Sequence, residues 1–175
     1  MKHLTVRWIG PQSRLKQIGS PNSDIDIAIV LSGPEPQRSN FEQKLIKQFS
    51  SLPHKIILVR GLRNPTTNLD LPGNTTILNY ADAEILSRVI NQSKFIICRS
   101  GYSTIMDLDN LGGKVLFVPT PGQPEQMYLA EYFEQKNIAE MQSQLNLDIT
   151  SAWSRRNDYS GFPIRAILTS CCTDS

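Results

Sequence analysis

The sequence predicts a doubly wound α/β domain with a parallel sheet, and three observations predict it. Short apolar runs rich in β-branched residues recur along the chain. Segments with apolar residues at helical spacing lie between those runs. Turn formers separate one kind of segment from the other. The first strand is Ile25–Leu31, ended by Ser32-Gly33-Pro34-Glu35-Pro36. Ser39-x-x-Glu42 has the capping-box pattern, and Phe41, Leu45, Ile46 and Phe49 follow at helical spacing, with Pro53 as the stop. Lys55–Gly61 reads as a second strand and turn, Leu62–Gly73 as a loop, and Thr75–Tyr80 as a third strand. Asp82 can cap a helix whose Leu86, Val89 and Ile90 make one apolar face. Phe95–Cys98 is the fourth strand. Its helix carries Ile105, Met106 and Leu111 and stops at Gly112-Gly113, a C-cap signature. Lys114–Val118 is the fifth strand, and Pro124 starts a helix that runs to Lys136-Asn137.

The ends of the chain are less regular. Residues 1–23 read as a lead-in whose second half is rich in Pro, Gly and Ser. Beyond about Met141 the pattern weakens, with a turn at Ser160-Gly161-Phe162-Pro163 and a short apolar run, Ile164–Leu168, as a last helix. The tail Ser170–Ser175 reads as disordered. The division expected is a lead-in over 1–23, one nucleotide-binding domain over 24–140 and a C-terminal extension over 141–175.

A chain of 175 residues fits one domain with a real core. A net charge of +2 is too small to imply nucleic acid as a partner. No apolar run is long enough to span a bilayer, and the start has no signal-peptide core. Cys98 and the pair Cys171-Cys172 supply neither a disulfide framework nor a zinc spacing, so a reducing cytoplasm is the simplest compartment. His3 and His54 stand apart from any acidic or Cys cluster, which argues against a His-dependent triad or metal site.

In a doubly wound sheet, ligands bind beyond the carboxyl ends of the strands. Those ends carry Ser32-Gly33, Arg60-Gly61, Asn79-Tyr80, Arg99-Ser100-Gly101 and Thr120-Pro121-Gly122. Two successive strand–loop–helix units, at Phe95–Asp107 and Val115–Gln126, place two helix N-termini at that edge, which suits a phosphate. Neither G-x-x-x-x-G-K-[ST] nor G-x-G-x-x-G is present, which leaves a P-loop or NAD reading without support. Ser32-Gly33-Pro34 alone is also an ordinary turn. Arg99 ends a buried strand and needs a partner there, which a bound anion would supply. Asp107 suits ribose hydroxyls or a solvated face, Gln126 suits sugar hydroxyls or solvent, and Tyr80 flanks a base or simply packs. Asp24-x-Asp26 and Asp107-x-Asp109 read as chance matches to a metal-binding pattern.

One further observation concerns Ile97-Cys98-Arg99-Ser100-Gly101 followed by Thr104 and Asp107, then Leu116-Phe117-Val118-Pro119, then Gln126 and Tyr128. This series resembles the C-terminal domain of family 28 glycosyltransferases, the family of the transferase that forms lipid II. The resemblance extends over roughly residues 24–140 and is most specific between 95 and 130. It implies one Rossmann-like half of a GT-B enzyme, the half that binds a UDP-sugar donor, with an inverting reaction and no cofactor. By that resemblance Ser100 and Gly101 lie at the diphosphate with Arg99 and Thr104 beside them. Asp107 stands for the family's ribose-binding glutamate and Gln126 for the first of a glutamine pair at the donor sugar. Ser32-Gly33 stands at the Gly-rich first loop, and Tyr80 near the segment that meets uracil. Three residues or segments depart from the family: Met127 replaces the second glutamine, Asp107 is a methylene shorter than glutamate, and Ser-Gly-Pro-Glu-Pro replaces Gly-Gly-Ser.

The resemblance also implies partners. The acceptor, lipid-linked in related enzymes, would be held by an N-terminal domain or a partner subunit at the inner face of the membrane. The general base would lie there too, so this chain contributes no catalytic residue and is expected to be inactive alone. A C-terminal piece of a longer transferase fits the chain ends better than the donor subunit of a split transferase. Two other classes stay open: a UDP-sugar epimerase, which needs further acidic and His residues in its cleft, and a non-catalytic interaction module with a degenerate pocket.

Overall fold

Alternation along each strand decides which face every side chain covers. In the computed structural model, which describes residues 13–17, 23–49, 52–63, 69 and 71–164, the elements run β1 (Ile25–Val30), α1 (Gln37–Phe49), β2 (Ile56–Val59), β3 (Thr75–Leu78), α2 (Ala83–Asn91), β4 (Ser93–Cys98), α3 (Tyr102–Leu111), β5 (Val115–Phe117), α4 (Pro124–Gln135), β6 (Glu140–Met141) and α5 (Ile149–Arg155). The strands pair in the order β3-β2-β1-β4-β5-β6, and every pairing is parallel. Ile27 and Ile29 of β1, with Leu31 just past it, and Phe95 and Ile97 of β4 point to one face. There they meet Phe41, Leu45 and Phe49 of α1 and Ile149 and Ala152 of α5. Ile96 and Cys98 point to the other face, against Ile105, Leu108 and Leu111 of α3 and Ala130 of α4. Ala28 and Val59 share that face with Val89 of α2. Strands buried on both faces are why the sequence shows continuous apolar runs rather than alternation.

The chain moves outward from β1 to β2 and β3, then returns to place β4 on the other side of β1. This reversal makes the gap between β1 and β4 the switch point where such sheets open a crevice. Register fixes what meets there. Val30 is level with both Cys98 and Val59, so Ser32-Gly33 runs beside Arg99-Ser100-Gly101 on one side and Arg60-Gly61 on the other.

Local signals set most boundaries. Asp82 caps α2, accepting the Ile85 N–H at 2.8 Å. Gly112 ends α3 with φ of +79°, and a Cβ there would sit 2.6 Å from Ile164 Cγ1, so only glycine fits. Pro124 opens α4. The expected capping box does not form. The helix α1 starts at Gln37, Ser39 lies inside it, and the Ser39 N–H goes to Glu35, while Glu42 is held by Arg60. Sequence periodicity also missed β6 and α5, which are two and seven residues long.

Other expectations meet the structure near the ends. Part of the lead-in is docked, with Leu15 1% exposed in the α3 side of the core, and in the expected C-terminal extension Phe162 forms an antiparallel bridge with Gly113. The helix expected over Ile164–Leu168 does not include Ile164, and residues 165–168 lie outside the described residues, as do the tail and Cys171-Cys172. No helix among the described residues is long and apolar enough to cross a membrane.

Candidate nucleotide site

At the switch point the sheet edge opens into a cavity of about 410 Å³ between the α2 and α3 side of the sheet and the loops after β1, β2 and β3. Of the sequence-predicted site residues, Ser32, Gly33, Tyr80, Thr104 and Asp107 line it together. Val30, Leu86, Ile90, Ile96 and Leu108 give it an apolar floor. Apolar and polar groups thus share the lining, the mix that small-molecule sites use to bury a flat ring and fix its orientation. Tyr80 stands at the mouth, half-exposed, with the Arg63 guanidinium 5.3 Å from its ring centre. Gly33 has φ of +106°, and the absence of a side chain there keeps the approach to Thr120 open.

Helix α3 aims its N-terminus at this cavity. Its N-cap is Gly101, which supplies no side chain to the first-turn N–H groups, and Ser103 and Thr104 of that turn line the cavity. An uncapped helix N-terminus with two hydroxyls is an anion-binding arrangement. Asp107, one turn further, is half-buried, and burial pushes its carboxyl above the usual value of 3.8, opposed by the Ser13 hydrogen bond and the Arg14 charge. Ser13 Oγ donates to Asp107 Oδ1 at 2.6 Å. The same strap is fixed by Asn110 Nδ2 donating to the Leu15 carbonyl at 2.7 Å and by the Lys16 N–H donating to Ser87 Oγ at 3.2 Å. Arg14, between these anchors, is exposed and lines the cavity.

The remaining predicted residues stand outside the cavity lining and hold the loops that frame it. Arg99 is 1% exposed. Its Nη1 donates to the carbonyls of Val118 and Pro119 at 2.9 and 3.0 Å, and its Nη2 to the Gln37 carbonyl at 3.3 Å and to Gln144 Oε1 at 2.6 Å. The guanidinium also lies 4.0 Å over the Phe41 ring, and burial lowers its pKa to about 10. The sequence reading that a buried Arg99 needs a partner is met by backbone carbonyls rather than by a group in the cavity. Ser100 Oγ donates to the Gln126 carbonyl at 2.6 Å. Gln126 Oε1 accepts the Thr120 N–H at 2.9 Å, and its Nε2 donates to Gln123. These bonds shape the loop after β5 and set α4 against α3. The Thr120 hydroxyl, buried beside Gly33, has no partner among the described residues.

Sequence reasoning missed Arg14, Arg38 and Ser103, all of which line the cavity, while Gly61, named among the strand ends, lines it too. Arg38 is buried within a group that joins Glu35, Glu42, Arg60 and Asn79 across the ends of β2 and β3. The only signal for it was an arginine in the first turn of the helix that follows the loop at the switch point. Asp26, of one D-x-D match, is spent on Lys94 and the Lys55 N–H. Among the described residues no group of three or more His, Cys, Asp or Glu side chains is placed to hold a metal.

The comparisons with known proteins agree with this fold. The model for the glycosyltransferase family 28 C-terminal domain matches residues 38–152. No curated protein sequence matches the chain. Among solved structures, MurG of Acinetobacter baumannii is similar with a TM-score of 0.61 and 20% identity, over 82% of this chain and 44% of that one. CalG4, the calicheamicin glycosyltransferase, is similar with a TM-score of 0.63 and 16% identity, over 81% and 39%. The spinosyn rhamnosyltransferase SpnG, solved with thymidine diphosphate, is similar with a TM-score of 0.53 and 18% identity, over 80% and 36%. The chain thus spans about two fifths of the length of these relatives.

Proposed function

The chain belongs to the glycosyltransferase family 28 C-terminal domain family, and from that premise we propose that it binds the nucleotide-sugar donor of a glycosyl transfer whose acceptor is held elsewhere. The observation that carries this reading is the uncapped N-terminus of α3 opening into a cavity with an apolar floor at the switch point. The base enters against Val30, Leu86 and Ile90 with Tyr80 and Ala81 at its edge. The ribose lies along α3 toward Asp107, whose carboxylate also takes Ser13. The diphosphate meets the first-turn N–H groups of α3, the hydroxyls of Ser103 and Thr104, and Arg14. The sugar then leaves the cavity past Gly33, toward Thr120 and the loop shaped by Gln126.

Each of these groups binds or orients the donor. Helix dipole and N–H groups offset charge on the leaving diphosphate as the glycosidic bond breaks, which is electrostatic assistance without proton transfer. Deprotonating an acceptor hydroxyl needs a base held near the anomeric carbon, and that task falls to the acceptor-binding half, whether a domain of the same chain or a partner subunit. The donor is a UDP- or dTDP-sugar; thymidine diphosphate in SpnG supports the second choice and the family resemblance the first. The acceptor we infer is lipid-linked, at the inner face of a membrane.

Titration calorimetry of the 175-residue chain with UDP and dTDP, with excess EDTA in a parallel run, tests the proposal. Binding of one of them at about 0.1–1 mM, unchanged by EDTA, is expected, since half of a two-domain cleft contributes half of its contacts. Absence of binding to either at several millimolar overturns it.

A further inference from the structure

The loop between β1 and α1 carries a carboxylate at the place where a phosphate-binding loop keeps only backbone and small polar groups. We propose that Glu35 is an internal anion. It occupies the phosphate-type donors at the start of α1 and so reserves the donor diphosphate for α3. The identity of the excluded anion rests on the donor-binding reading above; the occupancy itself rests on the following geometry.

Glu35 lies between Pro34 and Pro36, which restrict the backbone on both sides. One of its oxygens accepts the Ser39 N–H, in the first turn of α1, at 3.2 Å. The other takes Arg38 Nε at 2.7 Å. A helix N–H together with a guanidinium edge is the donor set that a phosphate oxygen pair would use. Arg38 is buried and lines the cavity, so the group being neutralised is part of the cavity wall.

The charges around it balance. Arg38 lies between Glu35 and Glu42, and Glu42 also holds Arg60 at 2.5 and 3.2 Å. Two guanidinium groups thus face two carboxylates. Glu35 is the outlying member: its side chain is 53% exposed, against 8%, 7% and 3% for Arg38, Glu42 and Arg60. Removing its charge therefore leaves one net positive charge at the cavity wall, with the other three groups fixed in place. A second feature lies on the same loop, two residues before Glu35. Beside Gly33 lies the Thr120 hydroxyl, buried, without a partner among the described residues, and 3.9 Å from where a Gly33 Cβ would be. A ligand oxygen that passes Gly33 would find this hydroxyl without a partner among the described residues.

The test substitutes Glu35→Gln, which keeps the side-chain length, removes the charge and so weakens the hold on the Ser39 N–H and on Arg38. Glu131→Gln, on the exposed surface of α4, is the control for net charge alone. Affinity for inorganic pyrophosphate and for the nucleoside diphosphate is expected to rise about fivefold in Glu35→Gln, the scale of one exposed charge contact, and to fall back in 0.5 M salt. Glu131→Gln stays at the parent value. In a ¹⁵N-resolved titration the Ser39 amide moves with pyrophosphate in Glu35→Gln and stays still in the parent. Unchanged affinity in Glu35→Gln, or a gain equalled by Glu131→Gln, overturns the inference and leaves the donor site standing. A pyrophosphate gain at Ser39, with no nucleoside diphosphate bound by any of the three chains, supports the internal anion and removes the donor reading.

Discussion

Replacing Arg99 with methionine separates a framing role from a ligand-binding one. Methionine fills most of the volume and keeps the apolar stem against Phe41. It leaves the carbonyls of Val118 and Pro119 buried without their donor, and frees Gln37 and Gln144 on the partly buried side. Each buried acceptor left unpaired costs about 1–3 kcal/mol. Against that stands the relief of no longer burying a cation that has no carboxylate among its bonded acceptors, a term that often offsets a good part of the loss. The balance expected is a destabilisation of about 3 kcal/mol, or roughly 6–12 °C in Tm for a domain of this size. Arg99→Lys keeps the charge but loses the planar fork, so it should fall between the two at about 1–2 kcal/mol. Urea unfolding followed by far-UV circular dichroism gives both values, and calorimetry with the nucleoside diphosphate gives affinity on the folded fraction. If Arg99→Met stays within about 1 kcal/mol of the parent while nucleotide binding vanishes, the guanidinium is a ligand cation and the clamp argument fails.

Two further predictions address α3 and the strap that crosses it. Burial raises the Asp107 carboxyl above 3.8, so between that value and its raised pKa the native state holds more protons than the unfolded chain. This group therefore makes stability fall as pH rises through that window, and the relief is complete below the unfolded value. Asp107→Asn lacks this dependence, so its stability relative to the parent should rise from pH 3.5 to pH 7; a difference constant with pH would refute the shift. Leu15→Ala should cost about 2–4 kcal/mol in urea unfolding, because the side chain is 1% exposed among residues of α3 and β4. It should also weaken nucleotide binding by loosening Arg14. A cost below about 0.5 kcal/mol would show that the strap is not anchored.

Elements long enough to repeat a period were legible in the sequence. Ile25–Leu31 and Phe95–Cys98 announced themselves as runs buried on both faces, and Gly112-Gly113 marked the end of α3 by the conformation only glycine adopts there. What escaped was set by partners distant along the chain. Ser39 and Glu42 spell a capping box, yet Glu35 and Arg60 claimed them first. Arg99 asks for an anion when read alone, and the fold answers with carbonyls from the loop after β5 and from α1. Leu15 is one apolar residue in a polar stretch, and nothing local says that it is buried. In the candidate site, Gly33 and Tyr80 were named because strand ends follow from element order, Asp107 because it lies about two turns into the helix after β4, and Thr104 through the family resemblance. Arg14 and Arg38 were not, since their side chains reach the cavity through packing that no spacing encodes.

Helix α3 is gripped from both sides by segments far from it in the chain. Ser13 and Leu15 bond to Asp107 and Asn110, and Phe162 pairs with Gly113 just past its end. A ribosome makes these pieces in order, so the helix emerges with its first fastening already available and its second still about fifty residues from synthesis. Its final seating waits for the segment near Phe162, so the C-terminal end of α3 is fixed only after the strands on either side of it have been made.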